Sequence, residues 1–199
     1  MTAIEDWYPN WRDLSIHESS PGGRGVSLKL FDQRRYYSSS HFFENVPFGS
    51  IHPTRGDRCE NLEKLTFPDN SFDLIITQDV MEHVFHPDDA FSEIASVLKP
   101  GGAHIFTIPI LNKTKPSEPR ALLLPDGSIS HLKPPEYHGN PVDPEGSLVT
   151  MDWGYDITQF ILKNSGLASV LRQIDNIDLG IRAEYIDVIA SFKVQTQTK

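Results

Sequence analysis

A doubly wound α/β sheet is the fold this sequence predicts, and three observations carry the expectation. The run Phe72-Asp73-Leu74-Ile75-Ile76-Thr77 is short, β-branched and apolar on both faces, as a central parallel strand covered by helices must be. A helical segment and a Gly-rich turn follow it, then a second buried strand from Ala103 to Pro109, which together make one βαβ unit. The chain closes on two segments of strand character, Ser169 to Ile177 and Tyr185 to Val194, joined by a turn near Asp178-Leu179-Gly180.

Taken in order, Leu14 to Glu18 reads as a short first strand and Arg34 to Ser38 as a second. Pro87 followed by Asp88 and Asp89 starts a helix, because proline suits the first turn and carboxylates favour the positive end of the helix dipole. Ala90, Phe91, Ile94, Ala95, Val97 and Leu98 lie on one face of it, and Lys99-Pro100-Gly101-Gly102 ends it. Tyr155 to Asn164 is the last helix, stopped by Gly166. Glycine and proline gather in Pro21 to Gly25, Pro47 to Gly56, Pro100 to Gly102 and Pro109 to Pro144, which are therefore loops. The whole chain, 1–199, reads as one domain. Its stretch from Leu111 to Met151 is too long for a structureless connection and is expected to be a substrate lid or a surface for a partner subunit.

With 18 Lys+Arg against 27 Asp+Glu the net charge is −9, so the counterion-release term that drives nucleic-acid binding is missing. The single cysteine, Cys59, cannot form an internal disulfide, and nothing cationic beside it in the sequence would favour its thiolate. No apolar run approaches membrane length, and Met1 to Trp11 has neither a basic nor an apolar leader region. These features predict no nucleic acid, no membrane and a cytoplasmic setting. They leave open a homo-oligomer or a partner subunit.

In such a sheet, ligands bind outside the carboxyl ends of the strands at the switch point, which directs attention to the residues after Glu18, Ser38, Cys59, Gln78 and Pro109. Two stretches there go beyond a generic reading. Leu65-Thr66-Phe67-Pro68-Asp69-Asn70-Ser71-Phe72-Asp73-Leu74-Ile75-Ile76 is followed by Val80-Met81-Glu82-His83-Val84 and then by Glu93-Ile94-Ala95-Ser96-Val97-Leu98-Lys99-Pro100-Gly101-Gly102. Together they resemble the class I S-adenosylmethionine-dependent methyltransferases, in particular their type 11-like branch, with a close match over residues 58 to 109. The resemblance implies a Rossmann-like, mostly parallel seven-stranded sheet with a terminal antiparallel hairpin, and S-adenosyl-L-methionine as cofactor.

Carried over position by position, the resemblance places Glu18, Ser19, Ser20 and Gly22 at the methionine end of the cofactor. Ser20 and Arg24 stand where the family has glycines, so the motif is degenerate. Ser38 falls at the position of the acid that holds the ribose hydroxyls, where a hydroxyl makes a weaker, uncharged bond. Asn61 faces the adenine amine, flanked by Glu60 and Leu62, and Gln78, Asp79 and Val80 line the adenine and the methyl group. Asp73 and Glu82 are expected in bracing roles.

The reaction this implies is methyl transfer to an oxygen or nitrogen atom of a small polar acceptor, such as a sugar or a natural-product-like metabolite. The sulfonium already activates the methyl, so the protein has mainly to align the reactants and take a proton where the acceptor carries one. His138 and His83, then His131 and Asp152, are the candidate bases, because an imidazole titrates near neutral pH. The alternative is a non-catalytic methyltransferase-like subunit with weak or no cofactor affinity. Nicotinamide-dependent oxidoreduction is excluded, since Ser20 to Gly25 cannot supply G-x-G-x-x-G. No metal is expected: His83 and His86 straddle a turn, and the sequence offers them no third ligand. Only about thirteen residues precede the first strand, too few for the helical cover the family carries, which leaves the cofactor more exposed or covered by another chain.

Overall fold

The structure is a computed structural model that describes residues 1–195. Its centre is a seven-stranded sheet: β1 Ser15–Ser19, β2 Tyr36–His41, β3 Arg58–Cys59, β4 Phe72–Gln78, β5 Leu98–Thr107, β6 Ala168–Gln173 and β7 Asp187–Phe192. Their order across the sheet is β6-β7-β5-β4-β1-β2-β3, and only β7 runs antiparallel to its neighbours. Helices α1 Thr2–Trp7 and α2 Val26–Gln33 belong to one face, α3 Pro87–Val97 and α4 Ile157–Ser165 to the other. The chain order reverses between β1 and β4, which pair in parallel from Ile16↔Leu74 to Ser19↔Thr77. Their carboxyl ends therefore open side by side at the switch point.

The apolar pattern explains the layers. In β4, Ile75 packs with Phe91, Phe106 and Ile161 on the α3 and α4 side, while Leu74 and Ile76 pack with Ile16, Leu30 and Ile105 on the other. The helix α3 passes straight into β5, because Gly101 takes φ +84° and Gly102 lets the backbone run against β4. A Cβ on Gly102 would lie 2.6 Å from the Asp73 carbonyl oxygen. Asp73 itself braces the start of the sheet, as expected, accepting from the Ser15 N–H at 2.8 Å and Lys99 Nζ at 2.9 Å.

Several elements differ from the sequence expectation. The second strand runs to His41, three residues past the expected Ser38. The fourteen residues before β1 are not bare, since α1 buries Ala3 and Ile4 and the turn after it buries Trp11 completely. The terminal strands are shorter than expected, and a one-turn helix, Ile177–Leu179, sits in the excursion between them, closed by Gly180 at φ +69°.

The largest difference is the stretch from Leu111 to Met151, which is built of short strands rather than open loop. Ile110–Asn112, Met151–Gly154 and Glu118–Pro119 form one small sheet, Ala121–Leu123 pairs with Ile129–His131, and Tyr137–His138 pairs with Ser147–Leu148. An ionic network holds them together. Buried Asp152 accepts from Arg120 at 3.1 Å and from Lys133 at 2.6 Å; Lys133 also reaches Glu118 and Arg120 reaches Glu136. Strands of two or three residues carry no readable periodicity, so composition alone suggested a loop.

Candidate active site

At the end of β1, Glu18 is fully buried, and its carboxylate is taken up by the protein. Oε1 accepts from Ser27 Oγ at 2.6 Å and Gln78 Nε2 at 2.8 Å, and Oε2 accepts from Tyr37 Oη at 2.7 Å. Glu18 thereby ties β1 to α2, β2 and β4. Its proximity and burial push the Tyr37 phenol pKa upward, burial being the larger cause. Ser19 ends the strand, and Ser20 adopts φ +55°, the left-handed conformation for which glycine is ordinarily used, with its N–H donating to Ser40 O at 2.7 Å. Gly22 has no atom near the position of a Cβ, and Gly25 takes φ +57° and ψ −117° as it caps α2.

Ser38, expected to face the ribose, does not stand at the end of its strand. Ser38 lies in the middle of β2, opposite His17, and its hydroxyl is bonded to His17 Nδ1 at 2.9 Å. The His17 Nε2 meets Ser40 Oγ at 3.0 Å, and burial holds this imidazole neutral with a pKa near 3. The residue at the carboxyl end of β2 is His41. It is buried, its pKa is lowered by burial, and its Nδ1 has no hydrogen-bond partner among the described residues.

Beyond β3, Glu60 accepts from Arg58 Nε at 2.7 Å and from the Thr66 N–H and hydroxyl, so its carboxylate folds its own loop. Asn61 Oδ1 accepts from the Glu63 N–H at 2.9 Å, and its amide N–H groups have no hydrogen-bond partner among the described residues. Leu62 packs into the core beside Met81 and Val84. Cys59 is a buried thiol directed at the carbonyls of Phe43 and Val46.

The loop after β4 is the centre of the site. Gln78 reaches back to Glu18. Asp79 adopts φ +51° and is pinned by Thr107, whose hydroxyl donates to its carboxylate at 3.0 Å and whose carbonyl accepts its N–H. Burial, then the neighbouring Glu82, raises the Asp79 pKa. Val80 packs on the core edge. Two cavities adjoin these residues: one of about 220 Å³ lined by Gln78, Thr107 and the first residues of α1, another of about 340 Å³ lined by Asp79, Tyr185 and Asp187.

Four residues further, Glu82, His83 and His138 come together. Glu82 Oε1 stands 3.8 Å from His83 Nε2 and 3.6 Å from His138 Nδ1, and the two imidazoles meet edge to face with centroids 5.2 Å apart. His138 is delivered by the Tyr137–His138/Ser147–Leu148 hairpin, and His83 Nδ1 donates to the Leu148 carbonyl at 2.9 Å. That hairpin is fastened to the loop after β4, because Thr150 and Met151 donate their N–H groups to Glu82 O and Trp153 Nε1 donates to Met81 O. The contacts with Glu82, and beyond it Glu136, raise the His138 pKa against the opposing pull of burial.

The other two candidate bases lie elsewhere. Asp152 is consumed by Arg120 and Lys133, and His131 is exposed in the hairpin that begins at Ala121. The sequence pointed to His83 and His138 separately and placed Glu82 only as a brace. Their convergence was hidden because His138 arrives from the inserted stretch.

The description "Methyltransferase domain" belongs to the family model that residues 39–106 match, a span running from β2 to β5. The chain is 40% identical over 99 residues to the ubiquinone/menaquinone biosynthesis C-methyltransferase UbiE of Ectopseudomonas mendocina, covering 50% of this chain and 36% of that protein. It spans 36% or less of the length of the curated ubiquinone-biosynthesis methyltransferases it matches. Among solved structures, an S-adenosylmethionine-dependent methyltransferase from Mesorhizobium loti superposes with a TM-score of 0.60 at 17% identity, over 96% of both chains. The 1,6-didemethyltoxoflavin-N1-methyltransferase of Burkholderia thailandensis, solved with 1,6-didemethyltoxoflavin and S-adenosylhomocysteine, gives 0.55 at 13% identity, over 98% of this chain and 76% of that one.

Proposed function

We propose that the chain is a class I S-adenosylmethionine-dependent methyltransferase, a reading supported by the methyltransferase-domain match over residues 39–106 and the 40% identity to UbiE over 99 residues, and that it binds S-adenosylmethionine across the ends of β1, β2 and β4. We propose further that it transfers the methyl group to an oxygen or nitrogen atom of a small polar acceptor. One observation carries this reading. The loop after β4 is bonded at Gln78 to Glu18 and, four residues on from Gln78, presents Glu82 and His83 to His138, so a cofactor side and a proton-accepting side share one short segment.

The residues fit the cofactor in specific ways. At the β2 end the buried, unpartnered Nδ1 of His41 supplies a polar contact for a ribose hydroxyl. The amide N–H groups of Asn61 suit a ring nitrogen of adenine. Glu18 keeps Gln78 and Ser27 aligned and contributes its charge to the methionine end through them. The bound sulfonium supplies an activated methyl group and leaves as a neutral thioether.

What the chain adds is alignment and a destination for the acceptor's proton. Asp79, held by Thr107, lies between the cofactor side and the Glu82–His83–His138 cluster. The cluster faces the acceptor, with His138 as its solvent-accessible member and the hairpin that carries it as the acceptor's cover.

The test is incubation with methyl-labelled S-adenosylmethionine and a panel of small hydroxylated and aminated compounds. Label should appear on an acceptor, and His138→Ala should remove most of it while leaving S-adenosylhomocysteine binding intact. Cofactor binding without transfer to any acceptor, equal in parent and variant, supports the non-catalytic subunit instead.

A further inference from the structure

We propose that Glu82, His83 and His138 form a binding site for one divalent transition-metal ion. Their ligand atoms, Glu82 Oε1, His83 Nε2 and His138 Nδ1, all lie within 4.8 Å of one another. The separations from the carboxylate, 3.8 and 3.6 Å, are too long for hydrogen bonds. They do suit atoms arranged about a shared cation, since metal–ligand bonds of roughly 2.0–2.2 Å place adjacent ligands somewhat over 3 Å apart.

Which nitrogen is free on each ring points the same way. The Nδ1–H of His83 is committed to the Leu148 carbonyl, which leaves a bare lone pair on Nε2, the atom facing Glu82. His138 turns its Nε2 to Glu136 at 3.5 Å, and Glu136 is anchored by Arg120 Nη2 at 2.9 Å, so Nδ1 faces inward. An imidazole whose outer nitrogen is bonded to a carbonyl, as in His83, is the arrangement that orients metal-ligating histidines.

The carboxylate completes the argument. The Glu82 side chain is only 3% exposed, and neither of its oxygens has a hydrogen-bond partner among the described residues. A buried carboxylate with no hydrogen-bond donor is costly unless a full positive charge comes to it. Two imidazoles and one carboxylate favour zinc, manganese, iron or cobalt over magnesium or calcium, whose ligands are oxygens. His138 is one-third exposed, so a further coordination position opens towards solvent.

Metal binding stands on this geometry alone. The use made of it rests on the methyltransferase reading, with His138 then a ligand in place of a direct proton acceptor: the ion would take the acceptor's hydroxyl oxygen, lower its pKa and release its proton to water. The oxygen then forms the O–CH₃ bond as the S–CH₃ bond breaks and the sulfonium becomes a thioether. The acceptor class is therefore a small molecule with a hydroxyl able to ligate a metal.

The probe is Co²⁺, titrated into chelator-treated full-length protein and followed by calorimetry and visible absorption. One equivalent should bind with a visible band from nitrogen and oxygen ligation, and Glu82→Gln and His138→Ala should each weaken binding by at least about tenfold. His86→Ala, in the exposed His86–Asp88–Asp89 group, serves as the surface control and should leave binding unchanged. Absence of binding in a folded parent protein, or loss in His86→Ala and not in His138→Ala, overturns the proposal. A parallel titration of the metal-free protein with S-adenosylhomocysteine separates the two readings. Cofactor binding without Co²⁺ binding removes only the metal site, and the reverse removes only the methyltransferase assignment.

Discussion

Glu82 and His138 face each other, Oε1 to Nδ1, at 3.6 Å, and among the described residues no hydrogen bond satisfies the carboxylate. A purely structural glutamate would be expected to have donors around it, as Glu18 and Glu60 do. The geometry therefore marks a position where stability has been given up for function. In metal-free buffer Glu82→Gln should stabilise the protein by about 1–2 kcal/mol, because a neutral amide costs less to bury than a carboxylate with no hydrogen-bond donor. Thermal unfolding should show a Tm rise of roughly 2–8 °C. A clear fall in Tm would mean that the carboxylate and His138 form a stabilising ion pair.

Glu18 behaves in the opposite way. Its removal strands Ser27, Tyr37 and Gln78, all turned towards one buried carboxylate, so Glu18→Ala should cost about 3 kcal/mol in denaturant unfolding. It should also weaken S-adenosylhomocysteine by at least about tenfold, since Gln78 and Ser27 lose their orientation. Unchanged binding in the folded variant would detach Glu18 from the cofactor site.

The register at the end of β2 can be tested by two substitutions. His41→Asp puts a charged acceptor at the strand end and should tighten cofactor binding by about 1 kcal/mol, less its desolvation. Ser38→Asp should bring no gain and should lower stability, because it forces a carboxylate against a buried neutral His17. The reverse ranking would return the ribose contact to Ser38.

Acid sensitivity follows from two buried histidines. His17 and His104 have folded pKa values near 3, below the ordinary value of 6.5, with burial the leading cause in both. The unfolded chain therefore binds their protons first as pH falls. Their contribution is complete above pH 6.5 and declines from there towards pH 3, by about 1.4 kcal/mol per pH unit for each. Urea unfolding at pH 7.0 and 5.5 should show the loss, and His17→Asn should reduce the slope. A parent stability that stays flat over this interval contradicts the neutral assignment.

How far the sequence revealed this structure depends on where apolar periodicity exists. From Phe72 to Val97, strand and helix patterns are strong and proline punctuates them, so β4 and α3 were readable nearly to the residue, whereas β5 starts at Leu98, five residues before the expected Ala103, and takes in the Lys99–Gly102 segment expected as a turn. Tyr36–His41 is a run of tyrosine, serine and histidine with little apolar alternation, and its end was placed three residues short. The inserted stretch was opaque because its strands are held by Asp152, Arg120 and Lys133 rather than by an apolar face. In the candidate site, Gln78 and Asp79 followed from strand topology. The meeting of Glu82, His83 and His138 is a tertiary event that neither local segment encodes.

The central claim is that the ends of β1, β2 and β4 hold S-adenosylmethionine, and a calorimetric titration of the wild-type chain with S-adenosylhomocysteine tests it most directly. The account predicts one binding site per chain with a micromolar Kd, weakened in Glu18→Ala and retained in His138→Ala. An absence of binding at millimolar ligand, in protein shown to be folded, would contradict it.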